Sequence, residues 1–275
     1  MNLSKLNASL KIAFIILLSL IAIIAGYLYW RYALLHPNTD NAYLNANVIN
    51  ISPQVSGPIS AIYVENNQVV KKDQPLFDIL SSPFQAIDDQ ALAKKIQAQN
   101  NATRTAELVK LGYAAKSTLD DANAALAAAA AALEQAQLNL SFTHIKAPEA
   151  GTLVNFNLRA GSTVTAGLGI VLFSIIEEGQ WWLDANFKET QLERIKSGQK
   201  ATVNIDIYPG KKFKGIVSKI SDGSGSAFSL LPPENATGNW IKVTQRFPVK
   251  IIIQNPDPQY PLRIGASATV SIDTR

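Results

Sequence analysis

Residues 52–79, SPQVSGPISAIYVENNQVVKKDQPLFDI, and residues 141–171, SFTHIKAPEAGTLVNFNLRAGSTVTAGLGIV, carry one strand-rich pattern twice. Each copy starts at a proline (Pro53, Pro148), passes a glycine followed by alternating apolar residues (Gly57, Gly151), and closes on Val70 to Leu76 or Val164 to Val171. Alternation of this kind, broken by Gly, Pro, Asn and Asp, reads as short strands joined by turns. Two half-domains must therefore pair across whatever separates them, which leaves few architectures open.

What separates them is helical. Ser81-Ser82-Pro83 suits a helix start, because a serine caps exposed amides and proline fits the first turn. From Phe84 to about Lys110 there is no glycine or proline. In the following segment Leu119, Leu126, Leu133 and Leu140 recur every seven residues, with Ala122, Ala129 and Ala136 three places after a leucine. Leucine at one core position and alanine at the other make a coiled-coil seam that permits close approach. Two antiparallel helices joined by a turn around Gly112 to Ser117 are predicted, each of about 26 residues and so about 39 Å long. Lys94 and Asn101 interrupt the apolar face of the first.

At the N-terminal end, Ile12 to Trp30 (IAFIILLSLIAIIAGYLYW) is uncharged and long enough to span a hydrocarbon layer of about 30 Å. Tyr27, Tyr29, Trp30 and Tyr32 stand where an interfacial aromatic belt belongs. A cleaved signal peptide is the rival reading, but its apolar region is about 7 to 15 residues and ends at a small-x-small site. A retained single-pass anchor is expected, with Lys5, Lys11 and the amino terminus placing a short tail in the cytoplasm.

Past the second copy the texture turns to short strands: Trp181 to Phe187, Ala201 to Ile207, Phe213 to Ile220, Ile241 to Val243, Val249 to Ile253 and Ala268 to Ile272. One short helix, Glu189 to Lys196, interrupts them, and the set predicts a compact β-barrel. Residues 221–239, SDGSGSAFSLLPPENATGN, are long for a loop, in the range where loops tend to be functional or mobile.

Little in the chain speaks for chemistry. There is no cysteine, which excludes disulfides and a lipidated cysteine. The two histidines, His36 and His144, lie apart with no carboxylate cluster beside them in sequence, so neither a metal nor a catalytic site is expected. Ser224 lacks the strand-turn-helix setting of a nucleophile elbow, and Asp120 and Asp121 read as solvated helix residues. A net charge of +4 without a basic stripe gives no support to nucleic-acid binding.

The paired halves resemble lipoyl or biotinyl carrier domains, in which a lysine on an exposed hairpin bears the cofactor. Here that junction reads FDILSSPFQ and no lysine occurs between Lys72 and Lys94, so no cofactor can be attached and none is expected. The fold class expected is mixed α and β, elongated: a transmembrane helix, a split lipoyl-like domain interrupted by a helical coiled-coil hairpin, then a β-barrel. The expected limits are a cytoplasmic tail over 1–11, the transmembrane helix over 12–30, a linker over 31–46 and the first half over 47–82. The hairpin follows over 83–141, the second half over 142–178, and the barrel with a membrane-proximal region over 179–275.

This organisation resembles the HlyD-type membrane fusion proteins, periplasmic adaptors of bacterial efflux and secretion systems, and within them the EmrA-like branch. The resemblance rests on TDNAY at Thr39 to Tyr43, PQVSG at Pro53 to Gly57, NNQVVKKD at Asn66 to Asp73 and LSFTHIKAP at Leu140 to Pro148. It continues in ANFKETQL at Ala185 to Leu192, LLPPENATGN at Leu230 to Asn239 and QRFPVKI at Gln245 to Ile251. It implies a non-enzymatic adaptor in the inner membrane, with the bulk of the chain in the periplasm. Its expected partners are an inner-membrane exporter of the proton-driven major-facilitator class, a TolC-like outer-membrane channel and further copies of itself in a ring. An aromatic-acid exporter, a type I secretion system or a non-exporting envelope scaffold are the alternatives. By the same resemblance the hairpin tip meets the channel through Arg104 and Leu108, with Gly112 at the turn; where relatives carry a serine this chain has Ala115, and the nearest serine is Ser117. On the barrel, Phe187, Lys188, Phe228, Leu230 and Leu231 are the candidates for pump or substrate contact.

Overall fold

The computed structural model describes residues 8–224 and 244–275, with side chains from residue 14 onward. The order is α1 (Ala8–Leu35), β1 (Asn38–Asn45), β2 (Val48–Ile51), β3 (Gly57–Ile62), β4 (Val69–Val70), β5 (Pro75–Ile79), α2 (Ser82–Lys110) and α3 (Lys116–Ser141). Then come β6 (His144–Lys146), β7 (Gly151–Val154), β8 (Thr163–Val164), β9 (Phe173–Glu177), β10 (Trp182–Lys188), α4 (Glu189–Leu192), β11 (Lys200–Ile205), β12 (Lys212–Ile220), β13 (Arg246–Ile253) and β14 (Ser267–Ile272). Two compact units result, one from residues 47–178, the other from the chain up to residue 46 together with 179–275.

In the first unit the sequence repeat becomes a two-fold pseudo-symmetry. Its sheets run β6-β5-β3-β8 and β2-β9-β7-β4, each the image of the other when the halves are exchanged. Each half lends its short exit strand to the other: Val70 pairs with Gly151, and Val164 with Gly57. The correspondence extends to single bonds. Asn67 N donates to Leu153 O while Gly161 N donates to Ile59 O, and the left-handed residues Asn67 and Asp73 match Gly161 and Gly167. Asn, Asp and Gly are the residues that tolerate that conformation, so one turn geometry is specified twice by different side chains.

The core between the sheets holds Leu76, Phe77, Ile79, Leu153, Phe173 and Ile175, all essentially inaccessible. Phe173 meets Phe156 and Phe77 edge-on at ring-centre distances of 4.9 and 6.1 Å. The paired glycines have a packing reason. A β-carbon on Gly57 would lie 2.7 Å from Ile79 Cγ2, and one on Gly151 would overlap the carbonyl oxygen of Ile176.

The helices α2 and α3 replace the turn between β5 and β6, whose pairing (Asp78 opposite His144) closes the hairpin at its root. On α3 the seam is as read from sequence: Ala122, Leu133 and Ala136 are buried, and Leu119, Leu126, Ala129 and Leu140 are half-buried. On α2 the least exposed positions are Phe84, Asp88, Ala91, Lys95, Ala98, Ala102, Thr105 and Val109, a 4-3 alternation kept through the whole helix. Lys94 and Asn101 are therefore not breaks in the seam; both face solvent, and the seam itself is largely small or polar, with alanines, Asp88, Lys95 and Thr105 between Phe84 and Val109. Within it Asp88 Oδ1 is buried with no hydrogen-bond partner among the described residues. The Ser81 side chain caps nothing either, because its backbone is already helical.

The second unit is built on a closed six-stranded barrel in the order β1-β10-β13-β12-β11-β14. Alternate residues fill its interior, as in KATVNI of β11 and SATVSI of β14, where every second residue is buried. The stretch 31–46 is no linker. The helix continues to Leu35, and β1 closes the barrel between β10 and β14. Its residues NTDNAYLN look turn-forming because only Thr39, Ala42 and Leu44 are buried, with a register shift between the first two. The expected helix over Glu189 to Lys196 is shorter, Glu189–Leu192. The strand expected at Ile241 to Val243 lies outside the described residues.

Candidate functional site

At the hairpin tip the end of α2 dictates the turn. Gly112 has φ +79°, Gly112 N donates to Val109 O at 3.0 Å, and Tyr113 N donates to Leu108 O at 2.9 Å. This is a Schellman motif, whose left-handed position favours glycine. It leaves apolar side chains pointing outward: Leu108 is 41% exposed, Leu111 66% and Tyr113 80%. Arg104 stands one turn before Leu108 on the same helix face and is exposed. Ser117 is exposed in the first turn of α3. Leu111 and Tyr113 were missed in the sequence because nothing there distinguishes an outward apolar residue at a turn from one that packs. A cleft of about 420 Å³ lies just below, between Ala102, Thr103 and Glu107 of α2 and Asn123 and Leu126 of α3.

The serine absent from position 115 has a local meaning. Ala115 is the N-cap of α3, with extended backbone (φ −75°, ψ 151°) and no side chain to accept a bond from the first-turn amides. Ala115→Ser is expected to stabilise the hairpin by about 1 kcal/mol. Thermal melting followed by helical ellipticity reads this, and an unchanged midpoint would count against a capping role.

At the hairpin root a polar group forms that sequence proximity could not suggest. Asp78 accepts from the Tyr63 hydroxyl at 2.7 Å through Oδ2, and its Oδ1 lies 2.9 Å from His144 Nδ1. The hydrogen bond to Asp78 holds the Tyr63 phenol above its ordinary pKa. These residues, with Gln74, Pro75 and Lys146, border a recess of about 370 Å³. No group of three or more His, Cys, Asp or Glu side chains suited to a metal occurs among the described residues.

On the barrel the expected contact residues part company. Phe187 is fully buried, since β10 alternates and the phenyl ring falls on the inward side; it is a core residue and has no surface to offer a partner. Lys188, the next residue, faces out. It borders a polar recess of about 410 Å³ with Asn38, Asp40, Gln191, Arg246 and Thr269. Phe228, Leu230 and Leu231 lie outside the described residues.

Comparison with known proteins agrees with this architecture. Residues 47–173 match the family model described as the RND MFP barrel-sandwich hybrid domain, and residues 182–272 match the YknX-like beta-barrel domain. The multidrug export protein EmrA of Haemophilus influenzae is 32% identical, covering 98% of this chain and 85% of that protein. The multidrug resistance protein MdtN of Escherichia coli K12 is 30% identical over 98% of this chain and 96% of its own. Among solved structures, a MacA-MexA chimeric protein containing the Pseudomonas aeruginosa MexA α-hairpin domain shares the fold. It has a TM-score of 0.72 at 24% identity, with 87% of this chain and 81% of that one covered. With the hybrid domain, the barrel and similarity to these relatives along nearly its whole length, the chain belongs to the RND/HlyD-type membrane fusion proteins, among EmrA-like and MdtN-like homologues, a family of adaptors and not of enzymes.

Proposed function

We propose that this chain is the periplasmic adaptor of a tripartite exporter. In this reading α1 anchors it in the inner membrane with its N-terminus in the cytoplasm. The barrel then meets a proton-driven major-facilitator transporter, and the hairpin tip meets a TolC-like outer-membrane channel. One hairpin cannot enclose a conduit, so several copies form a ring around the transporter exit. Drugs or toxic small molecules are the cargo, in keeping with the names of EmrA and MdtN.

The observation that carries the reading is the tip: Leu108, Leu111 and Tyr113 are exposed together beside Arg104, an apolar patch with a cation at its rim that one chain leaves uncovered. Arg104→Asp is expected to abolish crosslinking between tip and channel while crosslinking of the barrel to the transporter persists. Loss of both, or of neither, would sink the assignment. The hairpin is short, about 43 Å for the 29 residues of α2. The alignment to the Haemophilus protein extends over 335 positions against 275 residues here, so that relative carries segments this chain lacks. A short reach also suits an adaptor of an aromatic-acid exporter, and expression with each class of transporter, scored by export of its own substrates, separates the two.

A further inference from the structure

The end of α1 is tied to the barrel as one piece. Only His36 and Pro37 stand between α1 and β1. The carbonyl of Leu35 accepts from both the amide (3.1 Å) and the hydroxyl (2.9 Å) of Thr274, and that of Pro37 accepts from Ile272 N at 3.0 Å. Arg194 Nη1 reaches the Leu34 carbonyl at 3.4 Å. The last carbonyls of a helix have no partners within it, so these bonds complete α1 and hold the rim of the barrel against its end.

That geometry sets a height. The span Phe14–Leu35 has 22 residues, about 33 Å, slightly more than a hydrocarbon layer of about 30 Å. Tyr27, Tyr29, Trp30 and Tyr32 are exposed over its last turns, the kind of aromatic side chain favoured at a membrane interface. Asn38, at the edge of the polar recess, follows Leu35 by three residues, at most about 10 Å of chain. On the membrane-anchor reading the recess therefore lies within about 10 Å of chain of the membrane-proximal end of α1. Its cations, Lys188 and Arg246, are opposite each other on β10 and β13, and both are exposed. Among the described residues neither has a carboxylate partner; Arg246 Nη1 makes a long 3.4 Å contact to the Asn186 carbonyl. Asp40 is the single acidic residue of the lining, and Asn38, Gln191 and Thr269 add neutral polar groups.

We propose that this recess binds the phosphate-bearing headgroup of a membrane phospholipid, with Lys188 and Arg246 on the phosphate. Two convergent cations match a phosphodiester, and the tie between α1 and the rim keeps them at its level. The inference rests on the membrane-anchor reading and says what the exposed Lys188 meets.

The test is native mass spectrometry of the full-length protein in detergent with added phosphatidylglycerol. One lipid per chain is expected, bound about tenfold or more weakly by the Lys188→Gln/Arg246→Gln double variant and normally by Lys188→Arg/Arg246→Lys. A phosphate-free glycolipid should not bind. Equal retention of that glycolipid, or equal lipid binding by the double variant, would overturn the proposal in favour of adhesion to α1. Displacement by inorganic phosphate at matched concentration would overturn it in favour of a free-anion site. Unchanged lipid binding with lost transporter crosslinking in the double variant would assign the rim to the transporter. Alkaline extraction of cell membranes separates the two levels: release of the wild-type protein defeats the anchor itself, whereas retention without lipid selectivity defeats only this site.

Discussion

Gly151→Val is expected to cost about 3 kcal/mol or more and to lower the melting temperature of the 47–178 unit by about 10 °C. Gly151 pairs with Val70 on one side and Glu177 on the other, at the point where strands of the two halves interlock. Any β-carbon there runs into the Ile176 carbonyl and approaches Ile175 Cγ2 at 2.8 Å. A flexible side chain could yield, but a carbonyl held in a ladder yields only if the strands separate. Gly151→Ala should already be clearly destabilising, and Gly179→Ala, where a β-carbon meets open space, should change nothing. Equal midpoints for Gly151→Val and Gly179→Ala would refute the close-approach argument.

Leu133→Asp should have the largest effect on the hairpin. Leu133 is 5% exposed and forms, with Ala91 and Ala136, the only buried apolar cluster of the helix pair among the described residues. The substitution removes that contact and places a carboxylate within a buried apolar cluster, a loss of about 4 kcal/mol. The helices are expected to open locally, seen as lost helical ellipticity and protease cleavage within α2 and α3 while the β domains stay folded. Asp88→Leu should act oppositely, raising hairpin stability by about 1 kcal/mol, because the buried Oδ1 has no partner to lose. A destabilised Asp88→Leu variant would overturn the argument that the carboxylate is buried unsatisfied.

The α3 seam was legible because leucine and alanine carry it on a strict seven-residue period. That of α2 was not, since Asp88, Lys95 and Thr105 are polar by type, and only their low exposure in the folded helix pair marks them as seam positions. β1 was hidden for a similar reason: Asn38, Asp40 and Asn45 signal turns locally, and only the gap between β10 and β14 makes them a strand. Phe187 and Lys188 were equal candidates in sequence, and the barrel register separates them into a core residue and a surface one.

By itself the sequence determined the repeat, the inserted hairpin, the apolar N-terminal helix and the missing acceptor lysine, because each is written in local periodicity or in the presence of a residue type. Tertiary structure alone decided how the halves exchange strands, which polar residues line the α2 seam, and that the end of α1 is bonded to the barrel rim. The strand exchange and the bonded rim depend on hydrogen bonds between residues far apart in the chain, such as Leu35 with Thr274, 239 positions away. Neither participant carries a mark of its partner in its own neighbourhood.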